Sequence, residues 1–324
     1  MLVTTIPHAL DVGATLVTRA RALQFIIRGD DVAGLECIAM DATGTTPATR
    51  RITVRARTFV TAAGAIGSPA LLLRSSVPDP YANVGVRTFL HPTVVSAALM
   101  SDRVDGFAGA PQTIYSDQFM GAIDGPIGFK LEAPPVHPVL AAITLPGHGA
   151  QHAAWMRRMP DMQVLIALLR DGFHPDSGGG RVRLAGDGTP LLDYPLTAYV
   201  FEGIRRALAT MAEVQFAAGA TSVMPVHDEG NGYATLGTAR AAIGAFDLRP
   251  RATTVVSAHV MGGCALGADP HHAVVDETGR HHQLANLYVL DGSLFPTSVG
   301  ANPQLSIYAL TAKLATSLAQ RLRT

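Results

Sequence analysis

Two polar side chains that lie far apart in the sequence could together bind a hydroxyl group and remove its proton. The imidazole of His259 has the ordinary pKa closest to neutrality, so it suits a general base. The amide of Asn302 can hold a hydroxyl group without competing for its proton. Both residues also have structural interpretations, because a lone histidine is usually a buried core residue and an asparagine before Pro303 is an ordinary helix N-cap.

Glycines at two predicted strand ends provide a second chemical signal. Ala63 and Gly64 follow one apolar run, Asp291 and Gly292 follow another, and Gly300 lies a few residues further on. A glycine at the end of a buried strand lets the backbone approach a phosphate group or a ribityl chain closely. Taken alone, such pairs are more often plain turns, so the pattern leaves both interpretations open.

The elements that position these residues are predicted from periodicity. The sequence RITVRARTFVT over 51–61 alternates before it becomes apolar, which predicts a strand that runs from the surface into a buried sheet. The apolar run 284–290 predicts a second buried strand. Ser68 is predicted to cap a short helix that has Pro69 at its first position, and a long helix is predicted to begin at Pro303.

Residues 94–253 have a different character, in which short apolar runs alternate with proline and glycine turns. Arg181–Leu184 alternates as a strand does, and the Asp-Gly pair at 187–188 follows it as a hairpin turn. The span 197–218 has helical spacing of its apolar residues. These signals predict an α+β domain.

Two segments resemble the glucose–methanol–choline (GMC) family of flavin-dependent alcohol oxidoreductases. The sequence GAIGSPALLLRS over 64–75 is similar to the family's second signature, although the family usually has glycine where Ser76 stands. The second segment is similar to the family's C-terminal block, nearest its cholesterol-oxidase and long-chain-alcohol branches. It runs from SAHVMGGC (257–264) through NLYVLDGSLFPTS (286–298) to GANP (300–303).

The resemblance implies FAD as the cofactor and assigns roles to the residues named above. It implies that the alcohol carbon gives hydride to flavin N5 while His259 acts as general base and Asn302 holds the hydroxyl group. The cofactor-binding positions that it implies are Ala63, Gly64, Asp291, Gly292, Gly300, Asn302 and Pro303.

The resemblance also implies the fold class, which combines α/β and α+β. Residues 1–93 and 254–324 would form an FAD-binding domain of the GMC type, and residues 94–253 would form an inserted substrate domain with an antiparallel sheet. The chain contains no Gly-x-Gly-x-x-Gly turn, the element that receives the flavin pyrophosphate in this family. We therefore expect the N-terminal Rossmann βαβ unit, about 200 residues, to be missing.

Composition argues against several other classes of protein. Lys and Arg number 25, as do Asp and Glu, so the zero formal charge does not favour nucleic acid or an anionic membrane as a partner. The opening MLVTTIP is no signal peptide, and no apolar run reaches the roughly 20 residues of a membrane span. With only two cysteines, we expect a cytoplasmic protein. The 12 histidines lack the spacing of metal ligands, so no metal is expected.

These observations predict FAD-dependent oxidation of the CH–OH group of a small-molecule alcohol. The alcohol and the electron acceptor, oxygen or a quinone-type compound, stay open. A second hypothesis is a non-catalytic fragment or one half of a split oxidoreductase, which the absence of the glycine-rich turn favours. A third hypothesis is a small-molecule binding protein that reuses the fold.

Overall fold

The computed structural model describes residues 3–110, 112–122 and 124–323, so the ends of the two predicted flavin-side segments, Met1, Leu2 and Thr324, lie outside the described residues. The helices are α1 (Thr5–Asp11), α2 (Gly64–Arg74), α3 (Pro138–Thr144), α4 (Gly149–Arg157), α5 (Ala198–Ala217), α6 (Leu236–Ala245) and α7 (Gln304–Arg321). The strands are β1 (Ala20–Arg28), β2 (Asp31–Met40), β3 (Pro47–Val54), β4 (Phe59–Thr61), β5 (Val86–Phe89), β6 (Thr93–Met100), β7 (Tyr115–Ser116), β8 (Phe129–Glu132), β9 (Met162–Leu169), β10 (Gly180–Leu184), β11 (Pro190–Asp193), β12 (Ala220–Pro225), β13 (Met261–Gly262) and β14 (Leu287–Val289).

The largest sheet is antiparallel, with strand order β12-β6-β9-β8-β7. Its central strands β6 and β9 are apolar on both faces, as expected for strands that are covered from two sides. One face packs against α5, whose residues Val200, Ile204 and Leu208 recur at helical spacing and are buried. Thr197 caps α5 by accepting a hydrogen bond from the backbone N–H of Val200, so the helix predicted over 197–218 is confirmed.

The opposite face of this sheet is covered by α3, α4 and the segments beside them. Ala97 and Met162 point to this side and pack with Leu145 and Trp155 in a second core. Because side chains alternate along a strand, neighbouring residues of β6 and β9 serve the two cores in turn. The same sheet therefore separates a helix-packed layer from a layer that encloses the cavity described below.

A third core joins the two ends of the described chain. The antiparallel sheet β1-β2-β3 and the parallel pair β4–β14 contribute Phe25, Phe59 and Val289, while Leu72 of α2 and Leu314 of α7 pack against them. The pairing aligns Leu287 with Phe59 and Val289 with Thr61. The two apolar runs predicted as buried strands thus meet in one sheet, although they lie more than 200 residues apart.

Three predicted elements differ in their bounds. The strand predicted over 51–61 is divided between β3 and β4, which belong to different sheets, because exposed residues 55–57 include two arginines that stay in solvent. The strand predicted over 284–290 is limited to β14. Helix α2 begins at Gly64 rather than at Pro69, which lies inside it.

A fourth sheet, ordered β11-β10-β5-β13, connects regions that the sequence assigned to different domains. Its strands β10 and β11 belong to the predicted inserted domain, whereas β5 and β13 belong to the flanking segments. The division into 1–93 with 254–324 and 94–253 stays a prediction. No helix within the described ranges is long and apolar enough to cross a membrane.

Candidate active site

The loop that carries His259 is fixed to the start of β6. Val256 exchanges two backbone hydrogen bonds of 2.9 Å with Thr93. The hydroxyl group of Ser257 donates to the carbonyl oxygen of Leu90, and the backbone N–H of His259 donates to Ser257 Oγ at 3.3 Å. The loop therefore holds the half-buried imidazole of His259 close to the residues that precede β6.

His91 is the immediate neighbour of this imidazole. Its side chain is completely buried, and its Nδ1 lies 3.1 Å from Nδ1 of His259. The backbone of His91 has φ +54°, a left-handed conformation that is strained for a residue with a side chain. Burial, with the nearby His259 and Lys130, lowers the pKa of His91 to about 3, so this histidine is neutral near pH 7.

A buried carboxylate fixes the strained backbone. Asp171 accepts hydrogen bonds from the backbone N–H groups of Leu90 at 3.1 Å and His91 at 3.2 Å, and from the Tyr194 hydroxyl group at 2.7 Å. Burial raises the pKa of Asp171 to about 6, although these donors act in the opposite direction. The sequence analysis missed both His91 and Asp171; a His-Pro pair directly before an apolar strand was the available signal for the first.

A nearly buried ion pair on β8 bonds to Asn302 and acts electrostatically on His259. Lys130 and Glu132 alternate with Phe129 and Leu131, which pack toward α5, so the charged pair lies on the opposite face of the sheet. Nζ of Lys130 lies 3.5 Å from Oε1 of Glu132, and the two side chains are only 12% and 4% exposed. This pair was not predicted from the sequence: the alternation in FKLE indicates a strand but does not show whether its charged face meets solvent or a cavity.

Asn302 interacts with both members of the pair. Lys130 Nζ donates to Asn302 Oδ1 at 3.2 Å, and Asn302 Nδ2 donates to Glu132 Oε2 at 3.3 Å. The side chain therefore does not cap α7, which begins at Gln304 without a side-chain cap. The same charges act on His259, because burial lowers its pKa, Glu132 opposes that shift and Lys130 reinforces it.

An apolar cavity of about 410 Å³ opens beside His259. This volume lies within the roughly 300–1,000 Å³ of small-molecule sites. Its walls come from the inner face of β6 and β9, from α3 with the preceding loop, and from the His259 loop. The lining includes Thr93, Val95, Ala97, Leu140, Ala141, Leu145, Met162, Val164, Ile166, Leu168, Val256 and His259. The lining is mostly apolar, and its further polar side chains are those of Gln112, His137, Thr144 and Ser257.

The predicted cofactor residues around Asp291 form a separate cluster. Asp291 Oδ2 accepts from the backbone N–H of Gly64 at 2.9 Å and from the Ser68 hydroxyl group at 2.5 Å. Its other oxygen accepts from the backbone N–H and the hydroxyl group of Ser293, at 2.8 and 2.5 Å. The predicted role of Ser68 as an N-cap is therefore wrong, because its hydroxyl group joins α2 to the end of β14.

The remaining predicted cofactor positions differ in how open they are. Ala63 is exposed, and Gly64 has φ +75° with no atom near the position of a Cβ. Gly292 and Gly300 are buried; a Cβ at Gly300 would approach the Arg170 side chain to 2.8 Å. An open glycine turn at the carboxyl end of β4 fits a cofactor that approaches along the backbone, and such edges are where nucleotide cofactors bind.

A metal site finds no support in the part of the chain that the structure covers. No group of three or more His, Cys, Asp or Glu side chains there could hold a metal ion. Both Cys37 and Cys264 are free and buried.

Comparison with known families identifies the class of this chain. A model of the N-terminal part of the GMC oxidoreductases matches residues 1–93, and a model of the C-terminal part matches residues 175–311. The chain belongs to the GMC oxidoreductase family. Family membership identifies FAD as the cofactor. Because the N-terminal model matches residues 1–93, the expected absence of the N-terminal flavin-binding unit is not confirmed.

Relatives and solved structures support the same assignment. The chain is 33% identical to paromamine 6'-oxidase of Streptomyces fradiae, over 97% of the chain and 54% of the relative. It is 26% identical to a long-chain-alcohol oxidase of Arabidopsis thaliana, over 97% of the chain and 44% of the relative. A formate oxidase crystal structure matches 93% of this chain and 60% of its own, with a TM-score of 0.66 and 15% identity. The chain spans about half the length of the curated relatives it matches.

Proposed function

We propose that this chain carries the substrate cavity and the catalytic base of a GMC oxidoreductase that oxidises the CH–OH group of an apolar alcohol. The observation that carries the proposal is the position of His259. Its imidazole borders a mostly apolar cavity, and the charges of Lys130 and Glu132, which bond to Asn302, act on it. An alcohol with an apolar body and one hydroxyl group matches a mostly apolar wall that includes one imidazole.

The residues of the chain account for the proton part of the reaction. His259 uses Nδ1 toward His91, so its Nε2 is the nitrogen left for a substrate hydroxyl proton. The Asn302 amide keeps one N–H after its bond to Glu132, and this N–H donates to the substrate oxygen while the hydroxyl proton is directed to His259. Bound FAD would supply the acceptor for the hydride from the alcohol carbon, and the product would be a carbonyl compound.

The same arrangement holds His259 in its proton-accepting form. Burial and the nearby ammonium group of Lys130 lower the pKa of His259, while the Glu132 carboxylate opposes them. A neutral imidazole at the working pH is the form that accepts a proton. After proton transfer, the Glu132 carboxylate stabilises the imidazolium that results.

The chemistry of the cavity wall distinguishes between possible substrates. One relative is named for long-chain alcohols and another for paromamine. Most of the lining, including Val95, Val164, Ile166 and Leu168, offers no hydrogen-bonding side chain, so a substrate with many polar groups would lose hydration along that part of the wall without compensation. This favours an alcohol with an extended apolar part.

The competing hypothesis is a non-catalytic fragment or one half of a split enzyme, favoured by the absence of a Gly-x-Gly-x-x-Gly turn from this sequence. The test is to incubate the purified chain with FAD, to gel-filter it and to record its visible spectrum. If the chain is only a fragment, we expect little retained flavin, because the sequence has no Gly-x-Gly-x-x-Gly turn to receive the pyrophosphate. A stoichiometric flavin spectrum, with turnover that His259→Ala abolishes, would contradict this expectation.

Substrate class is tested in protein that holds FAD, either directly or after co-expression with a flavin-binding segment that carries the glycine-rich turn. Anaerobic flavin reduction is followed with a series of primary alcohols of increasing chain length and with polyols of similar size. We expect kcat/KM to rise with chain length, because each buried CH₂ contributes about 0.8 kcal/mol, or about fourfold. Equal or faster reduction by the polyols would overturn the assignment of an apolar substrate.

A further inference from the structure

We propose that His91 is a positioning residue that fixes the protonation pattern of His259. In this arrangement Nδ1–H of His259 donates a hydrogen bond to Nδ1 of His91, which leaves Nε2 of His259 unprotonated. The inference rests on the proposed role of His259 as a base. His91 would act on the reaction only through His259, and the proton of His259 would lie on Nδ1 while that of His91 lies on Nε2.

The short distance between the two rings permits only two arrangements. Nδ1 of His91 and Nδ1 of His259 lie 3.1 Å apart, so one of them carries the shared proton. If His91 were the donor, the neutral His259 would carry its own proton on Nε2 and would have no lone pair for a substrate. In both arrangements Nε2 of His91 is buried without a partner among the described residues, so it does not decide between them.

The surroundings of His91 show that its position is imposed by the fold. Its left-handed backbone is held by Asp171, which accepts from the N–H groups of Leu90 and His91 and is itself bonded to Tyr194. Ser257 ties the other loop to Leu90. These bonds fix both rings from the backbone side, as supporting contacts do in preorganised sites.

The charges around the two rings favour a substrate proton that stays on His259 over one that moves on to His91. The titratable groups that face His259 are Lys130 and Glu132 on β8 and His91 before β6. His91 is completely buried and has no carboxylate partner for its side chain among the bonds found in the described chain, whereas His259 has Glu132 nearby. A proton taken from the substrate therefore stays on His259, and His91 accepts a charge-assisted hydrogen bond from it.

The test reads the ring nitrogens directly and needs no flavin. The full chain is labelled with ¹⁵N at histidine, and couplings between ring protons and nitrogens distinguish protonated from unprotonated nitrogens. Signals of His259 are assigned by their loss in His259→Ala. Above the ordinary histidine pKa, we expect Nδ1 of His259 to be protonated and Nε2 to be unprotonated. A wild-type His259 with its proton on Nε2 would overturn the proposal.

Two variants provide matched controls. His91→Asn keeps an acceptor near the position of Nδ1 and should retain the wild-type pattern, whereas His91→Leu should give a mixture of the two protonation patterns. The buried His281, whose Nδ1 accepts from the backbone N–H of Gln283, reports whether the variant is folded. An unchanged His259 protonation pattern in a folded His91→Leu variant would also overturn the proposal. If that variant does not fold, the wild-type spectrum alone tests the proposal.

Kinetics in the FAD-loaded protein give a second readout. His91→Leu should lower kcat roughly 10-fold to 100-fold, the range for losing a partner that orients a functional imidazole, with little change in KM. His91→Asn should recover most of this loss. If the protein oxidises no alcohol at all, the proposed function fails, while the nitrogen spectrum still tests the pairing of the two rings.

Discussion

The polar cluster around Asp291 and the polar cluster around His259 differ in whether their hydrogen bonds leave polar atoms free to bind a ligand. Asp291 accepts four hydrogen bonds from residues 64, 68 and 293, so its oxygens are directed into the protein. Within the described part of the chain, the imidazole of His259 has one hydrogen-bonding partner, His91, and it borders the cavity. Both clusters lie in segments that resemble one family. The Asp291 cluster joins two distant segments of the chain, whereas the His259 cluster offers polar groups to a ligand.

This comparison predicts that His259→Ala acts mainly on turnover, with a smaller loss of stability of about 1–3 kcal/mol because Nδ1 of the buried His91 loses its partner. Loss of a general base typically lowers the rate about 10²-fold to 10⁴-fold. The measurement is the rate of anaerobic flavin reduction in FAD-loaded protein, together with urea unfolding. His272→Ala is the matched control, because that histidine is 87% exposed and lies outside both clusters. A His259→Ala variant within twofold of the wild-type rate would refute the assignment.

Asp291→Ala should have the opposite profile. It leaves the buried backbone N–H of Ser293, the N–H of Gly64 and two hydroxyl groups without their acceptor. Each unsatisfied group costs about 1–3 kcal/mol, so we expect the free energy of unfolding to fall by on the order of 3 kcal/mol. Urea unfolding measures this loss, and Ser68→Ala should show a smaller one. If Asp291→Ala unfolds like the wild type, the carboxylate has a different role from the one assigned.

Asp171 should make stability depend on pH. Its pKa is about 6 in the folded protein against an ordinary 3.8, so the folded state binds this proton more tightly than the unfolded state. The resulting stabilisation is fully present below about pH 4 and is lost as the pH rises through about 6. The free energy of unfolding should fall by about 3 kcal/mol at most over this interval. The difference in unfolding free energy between wild type and Asp171→Asn should therefore change across this interval. A difference that is independent of pH would show that Asp171 titrates normally.

Substitutions on α3 should change KM only where the residue lines the cavity, and this effect should be smaller than those above. Leu140 lines the cavity, whereas its neighbour Val139 does not, and the two are similarly exposed at 57% and 61%. Leu140→Gln should raise KM for a long-chain alcohol about fivefold, because about 1 kcal/mol of apolar contact is lost. Val139→Gln should leave KM unchanged. Equal effects of the two substitutions would mean that the substrate does not enter this cavity.

Elements with a local sequence pattern were predicted from the sequence, whereas residues that only the folded chain brings together were not. The strands at 59–61 and 287–289 were predictable because apolar runs ending in glycine turns have a distinct pattern, whereas their direct pairing is known from the structure. Lys130 and Glu132 were not found, because a charged residue in a four-residue strand looks the same whether it faces solvent or a cavity. His91 and Asp171 lie 80 residues apart, and only the folded chain brings them together.

Errors at element ends have physical causes as well. The strand predicted over 51–61 failed at residues 55–57, because local alternation does not show where a chain leaves one sheet for another. Ser68 was predicted to be a helix cap, and a helix cap was the structural interpretation of Asn302 beside its predicted role at the substrate. Their side chains instead bond to residues that are distant in sequence, Asp291 and Glu132, and such contacts override local capping preferences.

The pH dependence of flavin reduction tests the central claim most directly. Wild type and His259→Ala are loaded with FAD and mixed anaerobically with a long-chain primary alcohol over a range of pH values. The wild-type rate should rise with pH through one ionisation below the ordinary histidine value of 6.5, because burial lowers the pKa of His259. His259→Ala should be slow and should lack this ionisation. The same pH profile in both proteins would contradict the claim that His259 is the base.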